Sequence, residues 1–369
     1  MIRPFRPDRA GPGHRGWPLR ALVPDRKARQ REIERCLAEH GLLTRPRGVD
    51  ARGGPADETG FARWLGSALT RLGPVYAAFG RYLASRPDLL RLSDCLELSA
   101  LANRAEPAPA PAVLELVAAE LPGAAADLFA EFAPEPVESG LLFQAHRARL
   151  RSGEEVVVRV VRPGVEASLA LDLELLPLLA GLSDGRRGGL PFAAAVEDFR
   201  TALPQRLDLT AQADGLEALA ADLERSPLVR VPRVLRELSG PRVIVLEWLA
   251  GTAIDNDPPP DKAPAVTATQ HLAIAWLHQA LLGRVLPVEL RGAETLLPVG
   301  DGVIFTGGQF ARPAASQQAN LLGYLTAAAD RDPDEAATHL LREMVATGPA
   351  GEEEIRLLLR QVVPFRNSA

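Results

Sequence analysis

The residues best placed to do chemistry lie in one stretch, Leu142 to Gly164, LFQAHRARLRSGEEVVVRVVRPG. At its centre Arg159 stands inside Val156-Val157-Val158-Arg159-Val160. A guanidinium among valines needs an anion, either a phosphate or an acidic partner. Gln144 and His146 precede it, and a hydrogen-bonding role on a strand suits that histidine better than catalysis. Metal carboxylates are scarce. Asp301 sits in Gly300-Asp301-Gly302, a turn that favours aspartate, and Glu289 stands nearby without a second ligand at fixed spacing. His271 and His278 share one helix face but have no third ligand. Gly307-Gly308 lacks the spacing of a phosphate loop. Cys36 and Cys95 have no CxxC or histidine partner, so reduced thiols are expected, with neither disulfide nor zinc.

The elements that hold these groups follow from periodicity and turn chemistry. Leu142 to Gly164 predicts a β-hairpin: a strand through Ala148 and Leu150, a Ser152-Gly153 turn, and a valine-rich strand from Glu155 to Val161. Asp25 to Gly41 predicts a helix with Ile33, Cys36 and Leu37 on one face. Helices run from Thr59 to Leu92, broken at Gly73-Pro74 and Arg86-Pro87. A stiff Glu106 to Pro111 linker leads to a helix over Ala112 to Leu121 and a short helix around Asp127 to Phe132. Further helices cover Val165 to Leu182, Phe192 to Leu203 and Leu209 to Arg225, with a turn-rich break at Gly185 to Gly189. Strands are expected over Val229 to Leu238 and Arg242 to Trp248, then a helix over Val266 to Leu282. A short strand pair flanks Gly300 to Gly302, and helix continues from Ala314 to Val363.

The chain of 369 residues, 47% hydrophobic and 24% charged, can bury one large core or two smaller ones. Its net charge of -5 gives no reason to expect nucleic acid, although the first fifty residues hold twelve Lys or Arg against six Asp or Glu. Among 42 basic residues only Lys27 and Lys262 are lysines, a bias that fits a GC-rich genome. No apolar run of about 18 residues and no signal-peptide pattern appears, so a cytoplasmic protein, at most peripheral on a membrane, is expected.

Several words of this sequence together resemble the UbiB/AarF family of atypical, protein kinase-like proteins. They are Leu72-Gly73-Pro74, Ser85-Arg86-Pro87-Asp88-Leu89-Leu90, Phe129-Ala130-Glu131-Phe132 with Pro134 and Pro136, and Gln144 with His146-Arg147-Ala148-Arg149-Leu150. They continue with Val160-Val161-Arg162-Pro163-Gly164, Val231-Pro232 and Arg242 to Gly251, over roughly Trp64 to Met344. The resemblance implies an α+β, two-lobed kinase-like fold. Its expected divisions are a basic tail with one helix (1–58), a helical extension covering the pocket (59–135), a small sheet lobe elaborated with helices (136–250) and a mostly helical lobe (251–369).

Carried over residue by residue, the family's catalytic words nearly all change. Its Lys-x-Gly-Gln is Ala78-Phe79-Gly80-Arg81, and its alanine-rich nucleotide loop is Glu138-Ser139-Gly140-Leu141-Leu142-Phe143-Gln144. Its strand lysine is Arg159, and its Glu-x-Asp with a further glutamate is Arg206-Leu207-Asp208 with Gln212, so the usual lysine–glutamate pair is expected to be lost. The catalytic loop falls on Leu286 to Ala293, placing Val288 at the base and Ala293 at the metal asparagine, and the metal motif falls on Thr306-Gly307-Gly308. Phosphoryl transfer needs carboxylates that hold magnesium, and valine, alanine and threonine supply none.

The resemblance therefore implies a pseudokinase. Gln144, Arg159, Glu247, Trp248 and Leu249 mark a vestigial nucleotide pocket, with no catalytic residue, no metal site and no required cofactor; ATP binding without metal-dependent turnover stays open. The expected role is regulatory or scaffolding, toward a protein partner or an active relative, with a link to isoprenoid-quinone or lipid metabolism. The rival readings are a divergent ATPase or kinase with relocated metal ligands, and a peripheral lipid-binding module with an apolar groove under Tyr76 to Leu83.

Overall fold

The computed structural model describes residues 25–42, 60–86, 89–99, 101, 105–121, 125–183, 192–226, 228–253, 263–288, 295–298, 302–343 and 356–357. Two compact units emerge, one from 1–213 with 234–248 and the other from 214–233 with 249–369. The Gly185 to Gly189 break, Lys262, Glu289, Ala293 and Asp301 lie outside the described residues.

In the first unit the Asp25 carboxylate caps α1 (Arg26–Glu39) by accepting the Ala28 N–H at 3.3 Å. Ile33, Cys36 and Leu37 are buried along one face, so this helix is packed on the unit rather than carried by a tail. Two helices follow, α2 (Phe61–Leu72) and α3 (Pro74–Ala84). Between them Gly73 takes φ +117°, open to glycine without strain, and Pro74 starts the next helix where its missing N–H costs nothing. Next come α4 (Leu92–Ser99), α5 (Ala110–Glu120) and α6 (Ala125–Leu128).

The helix expected around Asp127 to Phe132 is corrected here: it stops at Leu128, and β1 (Phe129–Phe132) continues as a strand. Two phenylalanines three apart mimic a helical face. A register shift between Phe129 and Glu131 adds one residue, so both rings reach the same core. Because β1 pairs with the next long strand, a boundary at residue 135 would cut the sheet.

The sheet continues with β2 (Glu138–Ser139), β3 (Phe143–Leu150) and β4 (Glu155–Val161), joined by the expected hairpin turn. Gly164, at φ +90°, leads into α7 (Val165–Leu175), which tightens to a 3-10 segment over Leu176–Ser183. After α8 (Phe192–Arg206), the helix α9 (Leu209–Asp222) begins in the first unit and ends in the second. The strand expected over Val229 to Leu238 splits. Val229–Arg230 remains a strand, β5; beyond Pro232, which has no N–H to pair, Val234 keeps an isolated antiparallel bridge to Leu246, and Arg236–Leu238 forms a 3-10 turn. The last strand of this sheet is β6 (Val243–Glu247), giving the order β1-β3-β4-β6 with β2 also on β3. Val113 and Val117 of α5 close one face over Val156, Val158, Val160, Val243 and Val245.

The second unit holds β7 (Gly251–Ala253), α10 (Ala263–Leu282), β8 (Leu286–Pro287), β9 (Thr295–Pro298), β10 (Val303–Phe305) and β11 (Phe310–Ala311). Its larger sheet runs β5-β10-β9-β7, so the expected strand pair about Gly300 is β9 with β10. The long terminal helix is broken into α11 (Ala315–Ala329) and α12 (Pro333–Glu343). Asp332 ends the continuity by accepting the N–H groups of Asp334 and Glu335 at 3.1 and 3.0 Å.

Candidate functional site

Strand register places four residues in one row across the first unit's sheet: Glu138 opposite Ala145, Ala145 opposite Arg159, and Arg159 opposite Ile244. Residues directly opposite in antiparallel strands share a face, so these four side chains do too. Ala145 is buried and ends at its Cβ, which leaves a gap that the long Arg159 arm crosses. Its Nη2 reaches Glu138 Oε2 at 3.2 Å and its Nη1 donates to Gln212 Oε1 at 3.3 Å. Side-chain exposure is 5% for Arg159 and 25% for Glu138, so the ion pair is largely withdrawn from water. The expected loss of the strand cation's partner is thus only half true. Gln212 still contacts the strand cation as an uncharged acceptor, and the charge comes from Glu138.

The two-residue strand that carries Glu138 is held by several bonds. Ala105 N–H donates to Ser139 O at 3.0 Å, and Ser139 Oγ returns a bond to Ala105 O at 2.8 Å. Arg162, only 4% exposed, donates to Ser139 Oγ and Gly140 O at 3.3 Å and also to Glu106 O.

Gln144 belongs to the other face. It pairs with Val160, one step out of phase with Arg159, and its side chain points toward α5. The amide is engaged in full: Ala108 N–H donates to Oε1 at 2.8 Å, and Nε2 donates to Ala108 O at 3.0 Å and approaches His146 Nε2 at 2.8 Å. His146 Nδ1 lies 2.8 Å from Ala133 O, an acceptor only, so Nδ1 carries the proton and Nε2 accepts. Burial holds this imidazole below its ordinary pKa. The hydrogen-bonding role expected for His146 is what the geometry shows, and Gln144 shares that role instead of joining Arg159.

Glu247 pairs with Val156 and so also faces away from Arg159. Trp248 donates its N–H to Glu155 O at 3.1 Å, and the Arg147 guanidinium covers its ring at 4.6 Å. Arg147 is meanwhile 2.7 Å from both Glu155 oxygens. Leu249 opens the second unit and is half-buried. The residues expected to form one pocket are thus distributed over both sheet faces, with Arg159 the one that faces Glu138 and Gln212.

In the second unit, Val288 is 47% exposed, and its N–H donates to Gln309 O at 2.9 Å. Thr306 is half-buried, followed by buried Gly307 and Gly308. Among the described residues no group of three His, Cys, Asp or Glu is placed to hold a metal. Beneath the extension, Tyr76, Phe79 and Leu83 are fully buried, and Phe79 packs edge-on against Phe199 at 5.2 Å. These side chains fill core space and line no open groove.

Sequence reasoning missed Glu138, Ala145 and the buried cluster of Arg29 with Asp172. The signal for Glu138 was present: a carboxylate replaced an alanine in the nucleotide loop while the strand cation also changed. Arg29 gave less warning, since a basic residue on an exposed-looking helix normally faces water.

Residues 100–281 match the ABC1 atypical kinase-like domain. A "Probable protein kinase UbiB" of Marinobacter nauticus is 35% identical over 201 residues, 53% of this chain and 36% of that protein. An uncharacterised protein of Mycobacterium tuberculosis is 38% identical over 190 residues, 50% of this chain and 39% of its own length. The chain thus spans well under half of these curated relatives. In fold it is similar to the Rv3197 chain of the Rv3197–erythromycin complex from Mycobacterium tuberculosis, with TM-score 0.51 and 20% identity over 70% of this chain and 66% of that one. No helix among the described residues is long and apolar enough to cross a membrane. Residues 100–281, which hold the valine-rich hairpin and the five-stranded antiparallel sheet, thus carry an ABC1 atypical kinase-like domain, similar over about half of the chain to UbiB proteins.

Proposed function

We propose that this chain is a catalytically silent member of its family that acts by binding, as a regulator or scaffold of an active relative. The observation that carries the reading is the state of Arg159. The strand cation that grips nucleotide phosphates in active kinases is here bonded to Glu138 and Gln212. Its charge is already satisfied, so an incoming phosphate must first displace a carboxylate. The aligned positions Val288, Ala293 and Thr306 add no carboxylate for magnesium.

A place near isoprenoid-quinone or lipid metabolism is supported by the UbiB resemblance and by the name of the Marinobacter relative. The reading leaves this chain in the cytoplasm or peripherally on a membrane, without nucleic acid as a partner. Phosphate release from Mg-ATP by the full chain tests the silent half, and no turnover above buffer is expected. Titrating the chain into an active UbiB-family ATPase tests the regulatory half: a change in the relative's turnover that saturates is expected. Turnover by this chain alone, or a relative unaffected at any ratio, contradicts the reading.

A further inference from the structure

We infer that the outer face of α10, in the second unit, is an interface between two copies of this chain related by a two-fold axis. The inference does not depend on whether the chain turns over ATP. It starts from missing charge. Helices α10 and α11, 20 and 15 residues long, hold no Asp, Glu, Lys or Arg, although the chain as a whole is 24% charged. A helix that stays in water ordinarily carries charged residues on its outer face. Ala268, Ala275 and Gln279 are buried on one side of α10, which packs on β5, β9 and β10. On the opposite side Val266, Ile274 and Leu277 are 55, 57 and 42% exposed, and helical spacing aligns them with exposed Gln270 and Ala273 in one stripe. On α11, Ala319, Leu322 and Thr326 share an exposed face by the same spacing. The helix is firmly placed: Trp276 Nε1 donates to Pro287 O at 3.0 Å, and Gln318 Nε2 donates to Gly283 O at 2.9 Å, tying the end of α10 to β8 and to α11.

Charge selects the occupant. Each copy carries a formal net charge of -5, so two copies repel except where they meet on a neutral face. A two-fold interface sets a patch against itself, and a fixed charge near the axis would meet its own kind. The exposed polar residues of the stripe and its edge, Gln270 and Thr267, each carry both a donor and an acceptor, so each can bond its own counterpart. A lipid surface would instead call for basic residues along the rim of the stripe, and neither helix has one. Leu92 and Leu96 on α4 are exposed as well, but they stand between Arg91 and Glu97 and lack this neutrality. At 20 residues α10 is about 30 Å long, so a face one helix wide with α11 at its flank buries less than the roughly 1,200 Å2 of a tight complex. The dimer is accordingly weak and reversible.

The test is sedimentation velocity of the full chain over a range of concentrations. Wild type is expected to pass from monomer to dimer with a midpoint on the order of tens of micromolar. Ile274→Glu and, separately, Val266→Glu set like charges across the axis and should weaken association at least about tenfold. Leu92→Glu on α4 should leave it unchanged. Circular dichroism checks that each variant is folded, and Leu277→Gln, which adds no charge, should weaken association in the same direction should the glutamates disturb α10. A wild type that stays monomeric at the highest concentration, or association that survives both Ile274→Glu and Val266→Glu, overturns the inference. Flotation of a monomeric wild type with anionic vesicles would also overturn it, giving the face to lipid.

Discussion

Gln144 closes a ring with the backbone of Ala108, accepting its N–H at 2.8 Å and donating to its carbonyl at 3.0 Å. A side-chain amide here does what a neighbouring strand would do, pairing a peptide unit of the proline-rich linker to the sheet. That linker has few N–H groups of its own, since Pro107 and Pro109 flank Ala108. The contact fixes where α5 starts and so which valines it covers.

His146 makes that ring sensitive to pH. Its Nε2 accepts from Gln144, and a proton there would set donor against donor and force the amide to turn away from Ala108. Burial lowers its folded-state pKa below the unfolded value near 6.5. Between those two values the unfolded chain binds more protons, so stability should be flat above about pH 6.5 and fall as pH drops through the window, by up to about 1.4 kcal/mol per unit. Urea denaturation at a series of pH values checks this. The His146→Asn variant should lose that component of the slope, and an unchanged profile would remove His146 as its source.

The Glu138–Arg159 pair should behave as a partly buried ion pair. Removing Glu138 alone is expected to cost about 3 kcal/mol, the low end for such a pair because its side chain is a quarter exposed. A double-mutant cycle of Glu138→Gln and Arg159→Met should give a coupling of about 1–3 kcal/mol. Ala145→Leu offers an independent check, since it fills the gap that the guanidinium crosses and should cost about 1–3 kcal/mol by overpacking. A coupling near zero would mean that the pair is incidental to stability.

Arg29 anchors α1. Its Nε lies 2.7 Å from Asp172 Oδ1, another nitrogen donates to Leu72 O at the end of α2, and its guanidinium lies 5.4 Å from the Tyr76 ring centre. Burial pushes the Asp172 carboxyl up, and Arg29 pulls it back toward the charged form. Arg29→Met should therefore cost about 3–5 kcal/mol and raise hydrogen exchange across α1, while Arg29→Met with Asp172→Leu should recover much of the loss. Equal damage in the single and double variants would argue against the ion pair as the anchor.

Much of the scaffold was legible in the sequence because local signals were strong. The valine run, the Ser152-Gly153 turn, the apolar face of Asp25 to Gly41 and the Gly73-Pro74 break all act within a few residues. The faces of the site were less legible. Gln144 and Ala145 differ by one position, and only long-range pairing shows that Arg159 lies beneath Ala145. The strand bearing Glu138 has two residues, too short for any periodic signal. The bulge in β1 reversed a face and imitated a helix. Each miss came from register, which hydrogen bonding between distant segments fixes and local propensity does not.

The central claim is that a satisfied Arg159 and a lost metal set leave no productive nucleotide site. Thermal denaturation of the purified full chain with millimolar ATP, with and without Mg2+, tests it most directly, since a ligand bound by the native state raises the midpoint by mass action. The account predicts that Mg2+ adds no shift to whatever ATP gives alone. A midpoint raised only when ATP and Mg2+ are present together would contradict it.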